Sequence, residues 1–378
     1  MASNSLTNIL PKILASGLMA LRERAVMPRL VTGDYQGEAA QKGSTIDIPL
    51  SKSQTVSDVT SAPTYSSAQA NTPGLVQIPL DQWKHTDFYL TDKEMVQIDR
   101  NRHFVPMQQA EAVKALANTM DKYVHNRAKE VYGFVGTAGA TPFSTVATAT
   151  DARKVMNNQL APMMDRNMVI DPDAEAQALQ LSAFSDVSQT QDRAVKIEGE
   201  LGRKFGFDIF MSQNVQTHTA GADAGGITIG SAIAADSSSI QLTASGTGTV
   251  LAGDVFTIAG DSQTYVALTS ANATSTASKL RIDPPLKMIA SSGDAVTRKA
   301  SHTVNLAFHP MAFAFATRPL SSAAGGLGGA QFMSATDPIT GLSLRLEVLR
   351  QYKQVAFDFD VLYGGKCIRP EYAVRIAG

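Results

Sequence analysis

The side chains able to do chemistry are few and far apart in the sequence. Six histidines, His85, His103, His125, His218, His302 and His309, stand singly. None belongs to the His-Glu-x-x-His pattern that sets two imidazoles one helical turn apart on a zinc ion. His302 and His309 are seven apart and share a face only if that segment is helical. Asp171, Asp173 and Glu175 make a small acidic turn, but the further oxygen ligands and late bidentate Glu of a calcium loop are missing. Gly325, Gly326, Gly328 and Gly329 lack the Gly-Lys-Ser/Thr ending of a phosphate cradle. Gly246-Thr-Gly248 lacks the third glycine and following helix of a dinucleotide site. There is no Gly-x-Ser-x-Gly elbow to present a nucleophile. The single cysteine, Cys367, allows no intrachain disulfide and no Cys-based zinc site. Its apolar C-terminal setting predicts a buried, inert thiol. We therefore assign no catalytic, cofactor or metal residue, and the chain reads as no enzyme.

Composition points the same way. The 378 residues are 44% hydrophobic, ample for a buried core, but only 18% charged. An ordinary soluble domain carries roughly 25%. A low charge fraction fits extended protein contacts or a Ser/Thr/Ala-rich β region. The net charge is -1 with no basic stripe, so the chain is not built as a DNA clamp. Met1-Ala2-Ser3-Asn4-Ser5 shows no basic start followed by an apolar run, and no signal peptide is expected. No apolar stretch reaches the ~20 residues that span a bilayer.

The elements that would position any site are clearer than the site itself. Leu6, Ile9, Leu10, Ile13, Leu14, Leu18 and Leu21 recur at helical spacing and predict an amphipathic helix over about 10–24. It docks either on a partner or on its own core. Residues 44–50 and 75–80 read as two strands, and Ser51 to Gly74 between them is too poor in large apolar groups to bury a core. The pair predicts a two-stranded arm that needs a surface to lie on. Trp83 to Ile98 continues with strand and turn residues. From Val105 to Gly133, Val113, Leu116, Ala117, Met120, Val124, Ala128 and Val131 repeat every three or four residues. They predict one helix of nearly thirty residues, roughly 40 Å long.

Residues 150–214 alternate. Asp151–Asp165 and Asp192–Leu201 read as helices, and Asn167–Pro172, Ala178–Leu181 and Phe207–Met211 as strands. The class is α+β. From Gln216 to Thr303 the composition turns to Ala, Ser, Thr and Gly, with β-branched runs at 227–233, 240–243, 255–259, 264–268, 280–282 and 295–298. Gly253-Asp254, Gly260-Asp261 and Gly293-Asp294 punctuate them, which predicts a small inserted all-β barrel or sandwich. His302–Pro319 is an apolar strand or helix, 321–330 a flexible link, and Leu342–Gly378 a run of strands with one face on the long helix.

Several stretches carry a family likeness. They are Gly253-Asp-Val-Phe-Thr-Ile-Ala-Gly260, Asn305-Leu-Ala-Phe-His-Pro-Met-Ala-Phe313 with Thr317-Arg-Pro-Leu320, and Phe359-Asp-Val-Leu-Tyr-Gly-Gly365 with Ile368-Arg-Pro-Glu371. With the order of elements, they make the chain resemble tailed-bacteriophage major capsid proteins of the HK97-like fold, in the P-twenty-two-type short-tailed subgroup with an insertion domain. The resemblance implies an N-terminal arm at 1–35, an extended hairpin loop and its flanking strands at 36–95, and a peripheral-domain spine helix at 96–149. It implies an axial domain at 150–215 that returns at 304–341, an inserted β domain at 216–303, and peripheral C-terminal strands at 342–378. It also implies an icosahedral shell of hexamers and pentamers in the virion, assembled in the host cytoplasm. The implied partners are a scaffolding protein, a portal, a possible decoration protein and non-specifically enclosed double-stranded DNA; no membrane and no cofactor are expected. Intersubunit contacts are expected at Leu10, Leu14, Leu18, Lys52, Asp58, Tyr65 and Trp83. Two other readings stay open: an encapsulin-like compartment shell, and an adhesive or carbohydrate-binding surface protein. The second needs exposed aromatics on the β module, where Phe256 and Tyr265 alone are aromatic.

Overall fold

The computed structural model describes residues 14–15, 17–19, 21, 25–33, 45–50, 56, 58, 61, 73–93, 104–185, 201–222, 226–274, 276–318, 320, 331–337 and 342–378. The expected helix at 192–201 and the glycine-rich link at 321–330 lie outside the described residues.

In chain order the first strands are β1 (Thr45–Leu50), β2 (Gly74–Pro79) and β3 (Gln82–Thr91). Helix α1 (Phe104–His125), β4 (Gly133–Val135), α2 (Ala147–Asn158), β5 (Arg166–Ile170) and α3 (Pro172–Gln180) follow. Then come β6 (Arg203–Lys204), β7 (Phe207–Met211), β8 (Thr217–His218), β9 (Ile227–Ile229), β10 (Ser239–Ala244), β11 (Gly248–Val250) and β12 (Val255–Ile258). The next are β13 (Tyr265–Ala267), β14 (Ala271–Ala273), β15 (Ser278–Asp283), β16 (Ala295–Arg298), β17 (His302–Phe308) and β18 (Phe313–Arg318). Strands β19 (Gln331–Thr336), β20 (Ser343–Gln351), β21 (Gln354–Cys367) and β22 (Ala373–Ala377) complete the chain. The class is mixed α+β, with many strands and few helices.

Two sheets share α1. In the seven-stranded sheet the order is β4-β22-β17-β5-β7-β6, with β8 also on β17. Its strands are apolar almost without break, and β5 and β22 are buried at every position. That is the pattern of strands covered on both faces. Val169, Leu306 and Phe308 point into the core built around α1, while Met168, Ile170 and Ala307 point to Ala152, Met156, Ala174 and Ala178 of α2 and α3. The five-stranded sheet runs β18-β21-β20-β19, with β3 on β21. It alternates instead. Leu344, Leu346, Phe357, Phe359 and Val361 pack on Val113, Leu116, Ala117, Met120 and Val124 of α1, and the intervening residues face outward.

Strands β9, β10, β12, β13, β15 and β16 close a barrel in the order β10-β15-β13-β12-β16-β9. Its interior is filled by Ile227, Ile229, Ile240, Leu242, Phe256, Tyr265, Leu280 and Ile282. Each Gly-Asp turn places its glycine at positive φ: +98° at Gly253, +86° at Gly260 and +90° at Gly293. An L side chain there would strain the turn.

Four expectations are corrected. The long α-helix ends at His125 after 22 residues, about 33 Å. Residues Asn126–Glu130 continue as a 3-10 helix. Its turn of three residues keeps Ala128 and Val131 facing the core, so spacing alone did not reveal the change. Residues 178–181 do not form a strand. Pro172 opens helix α3, Asp173 and Glu175 sit in its positive first turn, and Ala174 and Ala178 are buried one turn apart. Helix α2 spans 147–158, not 151–165, and Leu160 beyond it is left-handed at φ 59°. His302 and His309 lie on a strand and in the turn after it, so they share no helix face.

Candidate assembly surfaces

Among the described residues no group of three or more His, Cys, Asp or Glu is placed to hold a metal. A hollow of about 60 Å³ lies by Ile258, Asp261 and Leu286 at one end of the barrel, and another of about 10 Å³ lies beside His125. They have room for water, not for a substrate. What the chain offers instead is surfaces.

The arm is one. Strands β1 and β2 pair only with each other, from Thr45↔Pro79 to Leu50↔Gly74. A lone two-stranded ribbon is marginal in water. Its base gains a surface within this chain, because Ile46, Ile48, Ile78 and Leu80 pack on Ala314, Ala316 and Ile368. The fit needs a glycine: a Cβ on Gly364 would lie 2.0 Å from the Pro79 carbonyl oxygen. Beyond the base, Val56 and Asp58 are exposed. Lys52 and Tyr65 fall outside the described residues.

Of the two dockings open to the N-terminal segment, its described residues take the chain's own core. Leu14 and Leu21 are buried with Val113 and Leu344 in the chain's own core, and Leu18 packs against it half-buried. Leu10 is outside the described residues. Further on, Met27 N donates to Asp121 Oδ1 at 2.7 Å, and Thr32 bridges to Ala314.

The outward face of the five-stranded sheet is a second surface, with exposed and half-buried residues along its strands. Pairing registers set its rows across β3, β21 and β20. His85–Asp360–Arg345 is followed by Asp87–Asp358–Glu347 and then by Tyr89–Ala356–Leu349. The first row is compensated. Arg345 grips Asp360 through two nitrogens, and Trp83 Nε1 donates to Asp360 Oδ2 at 2.9 Å. The second row sets three carboxylates directly opposite one another, an arrangement that costs energy. Burial pushes the Asp358 carboxyl up, the nearby His85 (3.2 Å) pulls it back, and Asp360 and Asp87 push it further up. Trp83 and Tyr89 stand exposed at either end of β3, and Trp83 remains a contact candidate. The row was missed in the sequence because it exists only once register is fixed.

A second exposed apolar group lies in the loop after α2. Leu160, Met163 and Met164 are exposed there. Buried Arg166 donates to the carbonyls of Ala161 and Pro162 at 2.8 and 2.6 Å, which holds the loop in place. No spacing signal marks these residues in the sequence.

No protein-family model matches the chain, and no curated protein matches it. Solved structures do. A structure from Mycobacterium phage Che8 aligns with a TM-score of 0.51 at 16% identity, covering 93% of this chain and 90% of that one. The capsid structure of cyanophage P-SCSP1u aligns with a TM-score of 0.51 at 15% identity, covering 93% and 88%. Likeness over almost the whole of both chains means that this chain has a phage capsid fold.

Proposed function

We propose that the chain is the major capsid protein of a tailed bacteriophage, and that copies of it close into the icosahedral shell that encloses the double-stranded DNA genome. The observation that carries this reading is the near-complete alignment with a capsid chain at both ends. In the HK97-like scheme, α1 is the spine helix and the five-stranded sheet is the peripheral domain. The seven-stranded sheet with α2 and α3 is the axial domain. Strands β1 and β2 are the base of the extended hairpin loop, and the barrel is an inserted domain. Hexamers and pentamers would be cemented by the arm lying across a neighbour. Each contact is weak alone and strong in sum, because every subunit makes several at once. Contacts at Asp58 and Trp83 fit this role, since both are exposed on the arm and on the strand that follows it. A scaffolding protein and a portal are the partners this reading implies, with a decoration protein as an optional third.

The adhesive reading loses its support, because Phe256 and Tyr265 are both buried inside the barrel.

The test is to express the chain alone and with its candidate scaffold and to image the product by electron microscopy. Closed shells with fivefold and sixfold capsomers are expected. Soluble monomers under every assembly condition would overturn the reading, and shells that load a cargo enzyme instead of DNA would favour a compartment.

A further inference from the structure

The barrel meets the rest of the molecule through a charged joint. Among the described residues a small apolar cluster of Tyr132, Val255 and Val266, with Phe134 packed alongside, spans it. Next to it lies Asp254, fully buried in the turn before β12. Asp254 Oδ1 takes the Nε2 of His218 on β8 at 2.7 Å. Its Oδ2 accepts from Leu251 N at 2.8 Å and Gly221 N at 3.2 Å, with Arg298 Nη1 on β16 at 3.8 Å. From β22, Arg375 is fully buried and donates through Nη1 to the Gly253 carbonyl at 2.8 Å. Gly253 must be glycine for this approach, since a Cβ would meet Lys129 Cβ at 3.0 Å and His218 Cε1 at 3.2 Å. One carboxylate thus serves two arginines and a histidine, and its bonds are already made.

His302, at the start of β17, completes the joint. Its ring lies 5.6 Å from that of His218 and edge-on to Phe134 at 5.2 Å, and Lys299 sits over the other ring partner, Phe134, at 5.6 Å. Nδ1 is 2.8 Å from the Ala300 carbonyl, so the neutral ring carries its proton there. Nε2 is buried and has no hydrogen-bond partner among the described residues. Arg375 also has Nε and Nη2 without partners. A second proton on His302 would create a buried N–H with no acceptor, beside Arg375 and His218, with Asp254 already engaged. A buried charge of this kind is tolerated only when it is paired.

We propose that His302 is an acid-operated release for the barrel: protonation of its ring opens the joint, and the barrel then moves as an intact unit relative to the seven-stranded sheet. The groups that face it are His218 on β8, Asp254 on the turn before β12, Arg298 on β16, Lys299 after it, and Arg375 on β22. Of these only Asp254 is acidic. Burial lowers the His302 pKa to about 4, the Ala300 carbonyl opposes this, Arg375 and His218 lower it further, and Asp254 pulls it back by a smaller amount. In the open joint the ring returns to its ordinary value of about 6.5, so falling pH favours opening. The inference stands whether or not the chain builds a shell.

The test uses the full chain with spin labels at exposed Lys279→Cys on the barrel and exposed Asp151→Cys on α2; the native Cys367 is buried and escapes labelling. The distance distribution between the labels is read from neutral pH down to about pH 4.5, with circular dichroism as the check on folding. In the parent protein a broad second population should appear while the dichroism is unchanged. His302→Phe, which keeps the ring packing but cannot take the proton, should lose that population, and His302→Gln should lose it too. Equal broadening in either variant would overturn the proposal. So would a parent protein that keeps one narrow distance until its dichroism collapses.

Discussion

At the scale of single residues, Asp121 shows how one side chain ties distant parts of the chain together. It is buried on α1 and accepts from Met27 N, from Ser212 Oγ at 2.9 Å and from Asn214 Nδ2 at 3.0 Å. Asp121→Ala would leave Met27 N and Ser212 Oγ without this acceptor, while Asn214 Nδ2 keeps Asn118 Oδ1, and we expect a loss of about 2–4 kcal/mol in urea unfolding. Leu14 is 1% exposed in the same core. Leu14→Asp should therefore destabilise the isolated protomer by several kcal/mol and not act on assembly alone. A variant that folds with parental stability and fails only to assemble would refute its place in the core. His125, at the end of α1, has its pKa lowered to about 4 by burial, against a smaller opposing pull from Asp121 and the Val304 backbone. The unfolded chain takes up that proton near its ordinary value and the folded chain does not. Stability is whole above about pH 6.5 and falls as pH drops toward 4, by on the order of 3 kcal/mol for this group. Urea unfolding across that range should show the slope, and His125→Phe, if it folds, should flatten it.

At the scale of elements, the same apolar stripe serves an α-helix and its 3-10 extension, and the α1 core runs unbroken across the junction. The arm base depends on close backbone approach at Gly364. Gly364→Ala should force the ribbon away from β21, seen as lost amide protection at 46–48 and 76–78 with the α1 core unchanged. The carboxylate row across β3, β21 and β20 carries a standing cost. Asp87→Asn, which removes a neighbour that pushes the Asp358 carboxyl up, should raise the stability of the isolated chain by a few tenths of a kcal/mol, more at low salt. A loss of stability would mean that Asp87 is held by a favourable contact and that the row is not a strained one.

At the scale of the whole molecule, three cores hold three units. One is built around α1, one lies under α2 and α3, and one fills the barrel. The first two share the seven-stranded sheet, whose strands contribute alternate residues to each, so they are not expected to unfold separately. The barrel has its own closed hydrogen-bond ring and only a small joint to the rest. This division suits a subunit that must keep a rigid centre while its surfaces meet neighbours at slightly different angles. Thermal unfolding followed by hydrogen exchange should show the α1 and α2–α3 cores opening together and the barrel opening apart from them.

Much of this was legible in the residues themselves. The six β-branched runs between 216 and 303 supply the six strands of the barrel, and the Gly-Asp turns between them take the left-handed glycines that such turns require. The repeat from Val113 to Val124 marks the buried face of α1, because burial on one face imposes its period on the sequence. Tertiary structure alone decided the rest. It set Leu14 inside the protomer, since an amphipathic face does not encode which apolar surface it will cover. It put 178–180 at the end of a helix, because so short a stretch (Ala178-Leu-Gln-Leu181) fits either period and Pro172 with the first-turn acids tips the balance. It brought Asp87, Asp358 and Glu347 into one row, and His218, Asp254, His302 and Arg375 into one joint. Those groups come from strands up to 271 positions apart in the chain (Asp87 to Asp358), and no local pattern carries the register or packing that makes them neighbours.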